Sequence, residues 1–257
     1  MDLGLTGRTA IVGASSGGLG RAIALALGHE GANVVVTGRD AQAVCQIADE
    51  LPSAIAVTAD ALDPDTPALL VAAARDAFGA PDIVVLNGPG PAPGQAVALD
   101  GTGLETTIDM LLRPHIDLVA RALPGMRETG WGRILAVGSA GVEAPIPGLV
   151  ASNVGRAGLA AYLKSIAAEV AADGVTVNML LPGRIATNRV ISLDEATAAR
   201  TSTTVADVRD AAEVTIPARR YGRPEEFGAV GAFLCSDRAS YVTGSYVRCD
   251  GGLLANL

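Results

Sequence analysis

The stretch from Thr9 to Arg39 constrains the fold of this chain more than any other. A short apolar run, Thr9–Val12, leads directly into a glycine-rich turn at 13–20 and then into a segment with apolar residues at helical spacing. A second apolar run follows at 33–37. Strand, glycine turn, helix and strand within about 30 residues form the βαβ unit that binds dinucleotides. The glycines let the backbone approach a pyrophosphate, and the helix start offers it free N–H groups.

The rest of the chain alternates between strand-like and helix-like segments. Strands are predicted at 54–59, 82–87, 133–139, 175–181 and 245–249, and helices at 41–51, 67–78, 105–128, 150–171 and 224–234. This alternation predicts an α/β fold in one domain, residues 1–257, with a doubly wound parallel sheet and helices on both faces. The segment 184–220 has a helical pattern and no strand, which predicts a substrate lid with a break between two helices at 201–204.

Composition narrows the class of protein. The chain has 257 residues, of which 49% are hydrophobic, and a formal net charge of −8. An acidic chain is a poor partner for nucleic acid or for an anionic membrane. The three cysteines have neither paired nor metal-like spacing, and no apolar run reaches the length of a membrane span. With no signal-like N-terminus, these features predict a cytoplasmic protein without a metal site.

Ligands of a parallel sheet bind at the carboxyl ends of the strands, so the residues there determine which cofactor the site can bind. The second strand ends in Gly38 and Arg39, where an NAD site would carry an acid for the ribose hydroxyls. The planar fork of Arg39 suits a 2′-phosphate, so NADP is favoured over NAD. The alternative for Arg39 is a solvated surface charge. Asp60, at the end of the third strand, either accepts a hydrogen bond from adenine or forms a turn.

Several further motifs follow in a fixed order. After the glycine turn and Asp60 come Asn87-Gly88, 130–134 leading to Ser139, Asn178, 182–187, 222–226, 241–244 and 250–252. In these motifs, from residue 5 to residue 254, the chain resembles the short-chain dehydrogenase/reductase family. The resemblance implies a Rossmann-type domain with a seven-stranded sheet and a small-molecule substrate. It also implies a homotetramer built on the fourth-and-fifth-helix pair, with a homodimer as the alternative.

The same resemblance implies which residues contact NADP(H). They lie in the glycine turn, at the strand ends and before the predicted lid: Gly13, Ser15, Ser16, Gly18, Leu19, Gly20, Arg39, Asp60, Ala61, Asn87, Gly88, Pro182, Gly183, Ile185 and Thr187. Ala14 stands where the family's turn has its first glycine. This is a small change, because one methyl group does not exclude a phosphate bound by the backbone.

The catalytic centre departs further from the family pattern. The family's serine matches Ser139, but its Tyr-x-x-x-Lys pair falls on Ser152 and Arg156, and its supporting asparagine falls near Leu111. Tyr162 and Lys164 lie farther along at a different spacing, which favours packing and a surface charge for them.

These replacements limit the chemistry of the centre. The family's tyrosine gives a proton to the carbonyl oxygen, and a serine hydroxyl at 152 is too weak an acid and too short to replace it. Arg156 stays charged and cannot relay protons, but it can stabilise an anion. One hypothesis is an NADP-dependent oxidoreductase acting on a small carbonyl or activated double bond, in which Ser139, Asn153 or water supplies the proton.

Two other hypotheses remain open. A non-redox lyase, isomerase or dehalogenase-like enzyme is one, because the related halohydrin dehalogenases also carry arginine at the lysine position. A nucleotide-binding protein without catalysis is the other. His115 is expected to pack or to lie at an interface, and Arg184 either meets an anionic substrate or phosphate or is a solvated loop residue.

Overall fold

A seven-stranded parallel sheet forms the centre of the computed structural model, which describes residues 2–256. The strands are β1 (Thr9–Val12), β2 (Asn33–Gly38), β3 (Ala54–Thr58), β4 (Ile83–Leu86), β5 (Gly132–Val137), β6 (Val175–Pro182) and β7 (Tyr246–Cys249). Their order across the sheet is β3-β2-β1-β4-β5-β6-β7, and all neighbouring pairs are parallel. The strand order reverses between β1 and β4, which is where such sheets bind ligands.

Helices connect the strands. They are α1 (Gly18–His29), α2 (Ala41–Asp49), α3 (Thr66–Ala77), α4 (Gly101–Leu111), α5 (Arg113–Thr129), α6 (Val150–Val170), α7 (Asn188–Thr201), α8 (Val205–Thr215) and α9 (Pro224–Leu234). Within residues 2–256, no helix is long and apolar enough to cross a membrane.

The core lies in two layers, one on each face of the sheet. Successive strand residues point to opposite faces, so Ile11 packs in one layer while Ala10 and Val12 pack in the other. Side chains of α3, α5 and α6 fill the first layer, and those of α1, α2 and α9 fill the second. Strands buried on both faces read as continuous apolar runs, and this explains the sequence of β1, β2 and β4. The predicted doubly wound fold is confirmed.

The single helix predicted at 105–128 is wrong, because the chain forms two helices there. α4 ends at Leu111 and α5 begins at Arg113. Pro114, in the first turn of α5, has no N–H to donate back into α4, so the helical hydrogen-bond ladder stops between them. The first turn of α5 borders the crevice at the strand ends, where Pro114 and His115 both lie.

The segment 184–220 contains α7 and α8, as its helical pattern predicts. The break between them falls at 202–204, where Ser202 takes a left-handed conformation with φ of 54°. Thr204 then begins α8 with a capping box, since its hydroxyl accepts from the Asp207 N–H and the Asp207 side chain accepts from the Thr204 N–H. The expected break is confirmed.

Candidate functional site

The glycine turn between β1 and α1 is held closely against the end of β4. A Cβ on Gly13 would lie 2.5 Å from the Asn87 carbonyl oxygen, and one on Gly20 would lie 2.5 Å from the Ala14 carbonyl oxygen. The Asn87 side-chain amide donates to the carbonyls of Gly13 at 3.1 Å and Ala14 at 3.3 Å. Asn87 therefore fixes the turn, and the two glycines are required by packing.

Ser15 supports the turn from behind. Its side chain is fully buried, and its hydroxyl donates to the Val12 carbonyl at 2.7 Å while accepting from the Thr37 N–H at 2.9 Å. This ties β1 to β2. Neither Ser15 nor Gly20 borders the cavity, so the structure gives both a supporting position behind a ligand rather than against one.

The end of β2 has room for glycine only. A Cβ on Gly38 would lie 2.5 Å from the Ser16 hydroxyl oxygen, so an acid at position 38 would displace Ser16. Arg39 follows as an exposed residue that borders the cavity. Asp40 caps α2, as its position predicts, accepting from the N–H groups of Gln42 and Ala43 at 3.0 and 3.1 Å. The strand end therefore presents a cation and leaves the neighbouring acid engaged with the helix.

Asp60 is exposed at the end of the connection after β3. One of its carboxylate oxygens accepts from the Leu62 N–H at 3.0 Å, and its backbone carbonyl accepts from the Thr66 hydroxyl at 2.6 Å. The turn role is thus present. The residue also borders the cavity, so contact with an adenine group remains a prediction.

One cavity of about 990 Å³ runs along the carboxyl ends of the strands. It joins the glycine turn, the ends of β2, β4 and β5, the start of α6 and the loop that follows β6. The predicted residues that border it are Gly13, Ser16, Gly18, Leu19, Arg39, Asp60, Ala61, Asn87, Gly88, Ser139, Ser152, Arg156, Pro182, Gly183, Ile185 and Thr187. The structure therefore brings together all the predicted site residues except Ser15 and Gly20.

Ser139 and Ser152 face the same cavity from different elements. Ser139 follows β5 and accepts from the Gly141 N–H at 3.1 Å, so its own O–H remains available to donate. Ser152 lies in the first turn of α6 and is half-buried. Asn153 beside it is committed elsewhere, because its amide bonds both backbone groups of Ile146. Asn153 does not border the cavity, and the suggestion that it supplies a proton is not supported.

Arg156 is the cation of this region. It lies one turn after Ser152 on α6, only 7% exposed, and donates to the Val137 carbonyl at the end of β5. Burial, with a further contribution from Arg189, lowers the pKa of Arg156 to about 10. The group is still charged at neutral pH.

The described residues that border the cavity include neither a tyrosine nor a lysine. Tyr162, on α6, packs against the core, and Lys164, the only lysine in the sequence, donates to the Gly244 carbonyl at 2.7 Å. Packing and a surface charge were the roles favoured for them by their spacing, and both positions agree with that interpretation.

Two residues that the sequence analysis did not assign to the site border the cavity. His115 was expected to pack or to lie at an interface, yet its buried ring borders the cavity next to Gly88. Burial and the nearby Arg156 lower the pKa of His115 to about 3, so the ring is neutral. Arg189, at the start of α7, also borders the cavity and lies over Gly90. The break between α4 and α5 and the direction of α7 place these side chains, and neither is encoded in a motif.

Arg184 has a partner within the lid region. Its guanidinium donates to the buried Asp194 carboxylate at 3.0 Å and to the Tyr221 hydroxyl at 3.2 Å, while Tyr221 donates to Asp194 at 2.9 Å. This network connects the loop after β6, α7 and the segment before α9. Arg184 is therefore not a free solvated arginine. Its guanidinium is also partly engaged, so it cannot offer all of its N–H groups to an anionic ligand.

Comparison with known proteins defines the class. The family model described as enoyl-(acyl carrier protein) reductase matches residues 13–254. The chain belongs to the short-chain dehydrogenase/reductase family.

Individual relatives match over nearly their whole length. Dehydrogenase/reductase SDR family member 4 of Bos taurus is 32% identical over 260 residues, covering 98% of this chain and 89% of that protein. The NADPH-dependent reductase BacG of Bacillus subtilis is 28% identical, covering 97% and 99%. The crystal structure of L-sorbose reductase from Gluconobacter frateurii, complexed with NADPH and L-sorbose, superposes with a TM-score of 0.94 at 29% identity and full coverage of both chains.

Proposed function

We propose that this protein is an NADP(H)-dependent oxidoreductase that acts on a small carbonyl or activated double-bond substrate with Ser139, Ser152 and Arg156 at its centre. The observation that carries the proposal is the single cavity from the glycine turn to Arg156. One end suits a dinucleotide, and the other end combines hydroxyl donors with a buried cation. NADPH-dependent relatives and an NADPH-complexed structural neighbour support the cofactor.

The cradle fits a dinucleotide by its shape. Gly17 has open space where a Cβ would stand, and Gly18 has a φ of 57°, which glycine adopts at no steric cost. The start of α1 offers free N–H groups to a pyrophosphate. Arg39 would bind the 2′-phosphate, and the crowded Gly38 leaves no room for the acid that NAD sites use. NADP(H) is accordingly the proposed cofactor, with NAD as the weaker alternative.

The chain's own groups then divide the chemistry. Bound NADPH supplies a hydride to the substrate. Ser139 would donate a hydrogen bond to the substrate oxygen, and Arg156 would stabilise the negative charge that develops there. Ser152 would orient the same oxygen through a hydrogen bond. Because no phenol borders this part of the cavity within residues 2–256, water would supply the proton that completes reduction of a carbonyl.

The substrate of this proposal carries a negative charge. Arg156 is buried, and among the described residues it has no carboxylate partner within 4.0 Å. A buried cation without a counter-ion is costly, so an anionic ligand would gain strongly by binding next to it.

A non-redox enzyme of the lyase, isomerase or dehalogenase-like kind is the second candidate. The observation that favours it is the replacement of the family's proton donor by the short Ser152, while Arg156 keeps an anion-stabilising charge. A catalytically inactive nucleotide-binding protein differs from both only in the absence of turnover.

Two experiments test this proposal. The first is a binding titration with NADPH and with NADH. The second is a screen of carbonyl and enone substrates in which NADPH consumption is followed by its absorbance. We expect NADPH to bind more tightly than NADH, and NADPH to be consumed with anionic carbonyl or enone compounds. Binding without turnover would contradict the redox proposal and favour the inactive form. Failure of both nucleotides to bind would favour the non-redox enzyme.

We also infer a homo-oligomer, a tetramer or a dimer, in the cytoplasm. Leu104 and Ile108 on α4 and Val154 on α6 are exposed apolar side chains on neighbouring helices, which supports a face buried between copies. Three free cysteines support a reducing compartment. Sedimentation equilibrium of the full chain tests the assembly, and a monomer at micromolar concentration would contradict it.

A further inference from the structure

The buried guanidinium of Arg156 has few partners. It can donate five hydrogen bonds, yet within residues 2–256 its one recorded hydrogen bond is to the Val137 carbonyl. A neutral carbonyl at the end of β5 leaves the positive charge uncompensated. Arg156 also borders the cavity.

A second cation approaches the same end of the cavity from the lid. Arg189 lies over Gly90, where an added Cβ would be 2.6 Å from one of its terminal nitrogens. No carboxylate of the described residues lies within salt-bridge distance of Arg189, whereas Arg184 on the same side is paired with Asp194. The two unneutralised arginines are close enough for Arg189 to lower the pKa of Arg156. An anion in contact with both guanidinium groups would be stabilised by charge-assisted hydrogen bonds.

His115 adds a neutral donor or acceptor to this pair. Its side chain is 5% exposed, and its Nε2 is buried without a hydrogen-bond partner in the described part of the chain. Buried polar atoms are nearly always bonded, so an orphaned one beside a cavity points to a ligand. The ring stands against Gly88, where an added Cβ would be 3.9 Å from Nε2.

We infer that Arg156, Arg189 and His115 form a subsite for a carboxylate group of the substrate. One carboxylate has enough lone pairs to accept from both guanidinium groups and from an imidazole N–H. The inference rests on the proposed function for the presence of a small substrate, and it names the chemical class of that substrate as a carboxylic acid. Gly90 is explained by it as well, because any larger residue would displace Arg189.

Phosphate groups of the cofactor are the other source of negative charge in this cavity. The glycine turn and Arg39 lie at its opposite end, which favours a carboxylate at the arginine pair. The two sources are separated by working with protein saturated with NADPH, in which every cofactor phosphate already has its partners.

Thermal unfolding of the NADPH-saturated protein tests the subsite. The Tm is measured with added acetate, oxalate or pyruvate and compared with the Tm in chloride at equal ionic strength. We expect at least one of the three carboxylates to raise the Tm by about 5–10 °C at a hundredfold excess over its dissociation constant. Equal Tm in carboxylate and chloride for all three would overturn the inference. A shift seen without NADPH that disappears on saturation would assign the arginines to the cofactor instead.

Variants identify the residues. Arg189→Gln should weaken carboxylate binding about tenfold, since a charged hydrogen bond is lost. Arg200→Gln is the matched control, because it removes an exposed arginine at the other end of α7 and should leave binding unchanged. Equal affinities in the two variants would contradict a role for Arg189.

His115→Leu separates a binding role from a structural one. Removing the orphaned Nε2 should raise the Tm of the ligand-free protein by about 2–4 °C and weaken carboxylate binding about tenfold. A variant that is more stable with unchanged affinity would show that His115 is only a packing residue. If the carboxylate subsite does not exist, NADPH should still bind. A negative result for the subsite is therefore distinguishable from a negative result for the proposed cofactor.

Discussion

Ala14 occupies a backbone conformation that favours glycine. Its φ is 44°, at the position where the family's turn has its first glycine. A left-handed conformation destabilises the folded state of an L-residue by about 1–2 kcal/mol. Glycine avoids this strain, but its greater conformational freedom in the unfolded chain offsets about 0.5–1 kcal/mol of the gain. We therefore predict that Ala14→Gly raises the free energy of unfolding by up to about 1 kcal/mol in urea titrations. Ala26→Gly, inside α1, is the control and should lower it by about 1 kcal/mol.

We propose that Arg39 selects NADP(H) over NAD(H). It is exposed beside the cavity, and no acid neighbours it at Gly38. Arg39→Met should weaken NADPH binding about 10–100-fold, because charged hydrogen bonds to the 2′-phosphate are lost, and should leave NADH binding unchanged. Fluorescence titration with both nucleotides measures this. Equal losses for NADPH and NADH would mean that Arg39 does not contact the 2′-phosphate.

His115 makes stability depend on pH. Its pKa is lowered to about 3 in the folded protein by burial and by Arg156, against 6.5 when unfolded. Below about pH 6.5, His115 therefore takes up a proton in the unfolded chain but not in the folded protein. The free energy of unfolding falls as the pH falls below 6.5, and this contribution to stability is fully present above that pH. Between pH 6.5 and 5 the loss should be about 2 kcal/mol, measured by urea unfolding. His115→Leu should lack this part of the slope, and an identical slope in both proteins would contradict the lowered pKa.

The apolar pattern predicts the positions of the motif residues at strand ends and helix starts, and the structure places them there beside the cavity. Asn87, Ser139 and Thr187 all come directly after β-strands or before helices that the apolar pattern locates. His115 and Arg189 could not be placed in this way. Their direction depends on where one helix breaks and another turns back over the cavity, which is a property of tertiary packing.

A buried carboxylate anchors helices α7 and α8, which we propose as a substrate lid. Asp194 on α7 is 4% exposed and accepts from Arg184 and from Tyr221, and Arg209 on α8 lies over the Tyr221 ring. We predict that Asp194→Asn loosens α7 and α8, because the hydrogen bonds of the buried Asp194 carboxylate to Arg184 and Tyr221 are weakened by about 1–3 kcal/mol. Hydrogen exchange should rise over residues 188–215 and remain unchanged in α1. Exchange that rises equally throughout the chain would show that the network does not specifically stabilise α7 and α8.

Elements were predicted well where the hydrophobic pattern is unbroken. α9 begins and ends where the sequence places it, and the seven strands follow the expected order of apolar runs. The junction of α4 and α5 was missed because the apolar spacing continues through Leu111 and Leu118 on both sides of Pro114. Pro114 interrupts the hydrogen-bond ladder without interrupting the apolar periodicity, so the hydrophobic pattern alone does not reveal the junction. A second proline, Pro124, does lie inside α5 without ending it.

The whole molecule combines the cavity of a dinucleotide-binding fold with a proposed catalytic centre that departs from the family pattern. The sheet order, the crowded glycines and the long cavity are those of a dinucleotide-binding enzyme, and the family match extends over residues 13–254. At the other end of the same cavity stand two serines and a buried arginine. The fold therefore predicts where chemistry occurs, while these particular side chains decide which chemistry it is.

The double variant Ser152→Tyr with Arg156→Lys tests the central claim most directly, with NADPH-dependent reduction of a simple neutral ketone as the measurement. NADPH affinity serves as the control, and we expect it to stay within about threefold in both proteins, well under 1.4 kcal/mol. The wild type should reduce the ketone slowly. In the double variant, the restored phenol and ammonium should raise kcat by about 100-fold or more, because general acid catalysis typically contributes at least this factor. Rapid reduction by the wild type, or an unchanged kcat in a double variant that still binds NADPH, would contradict the claim that only the proton donor is missing.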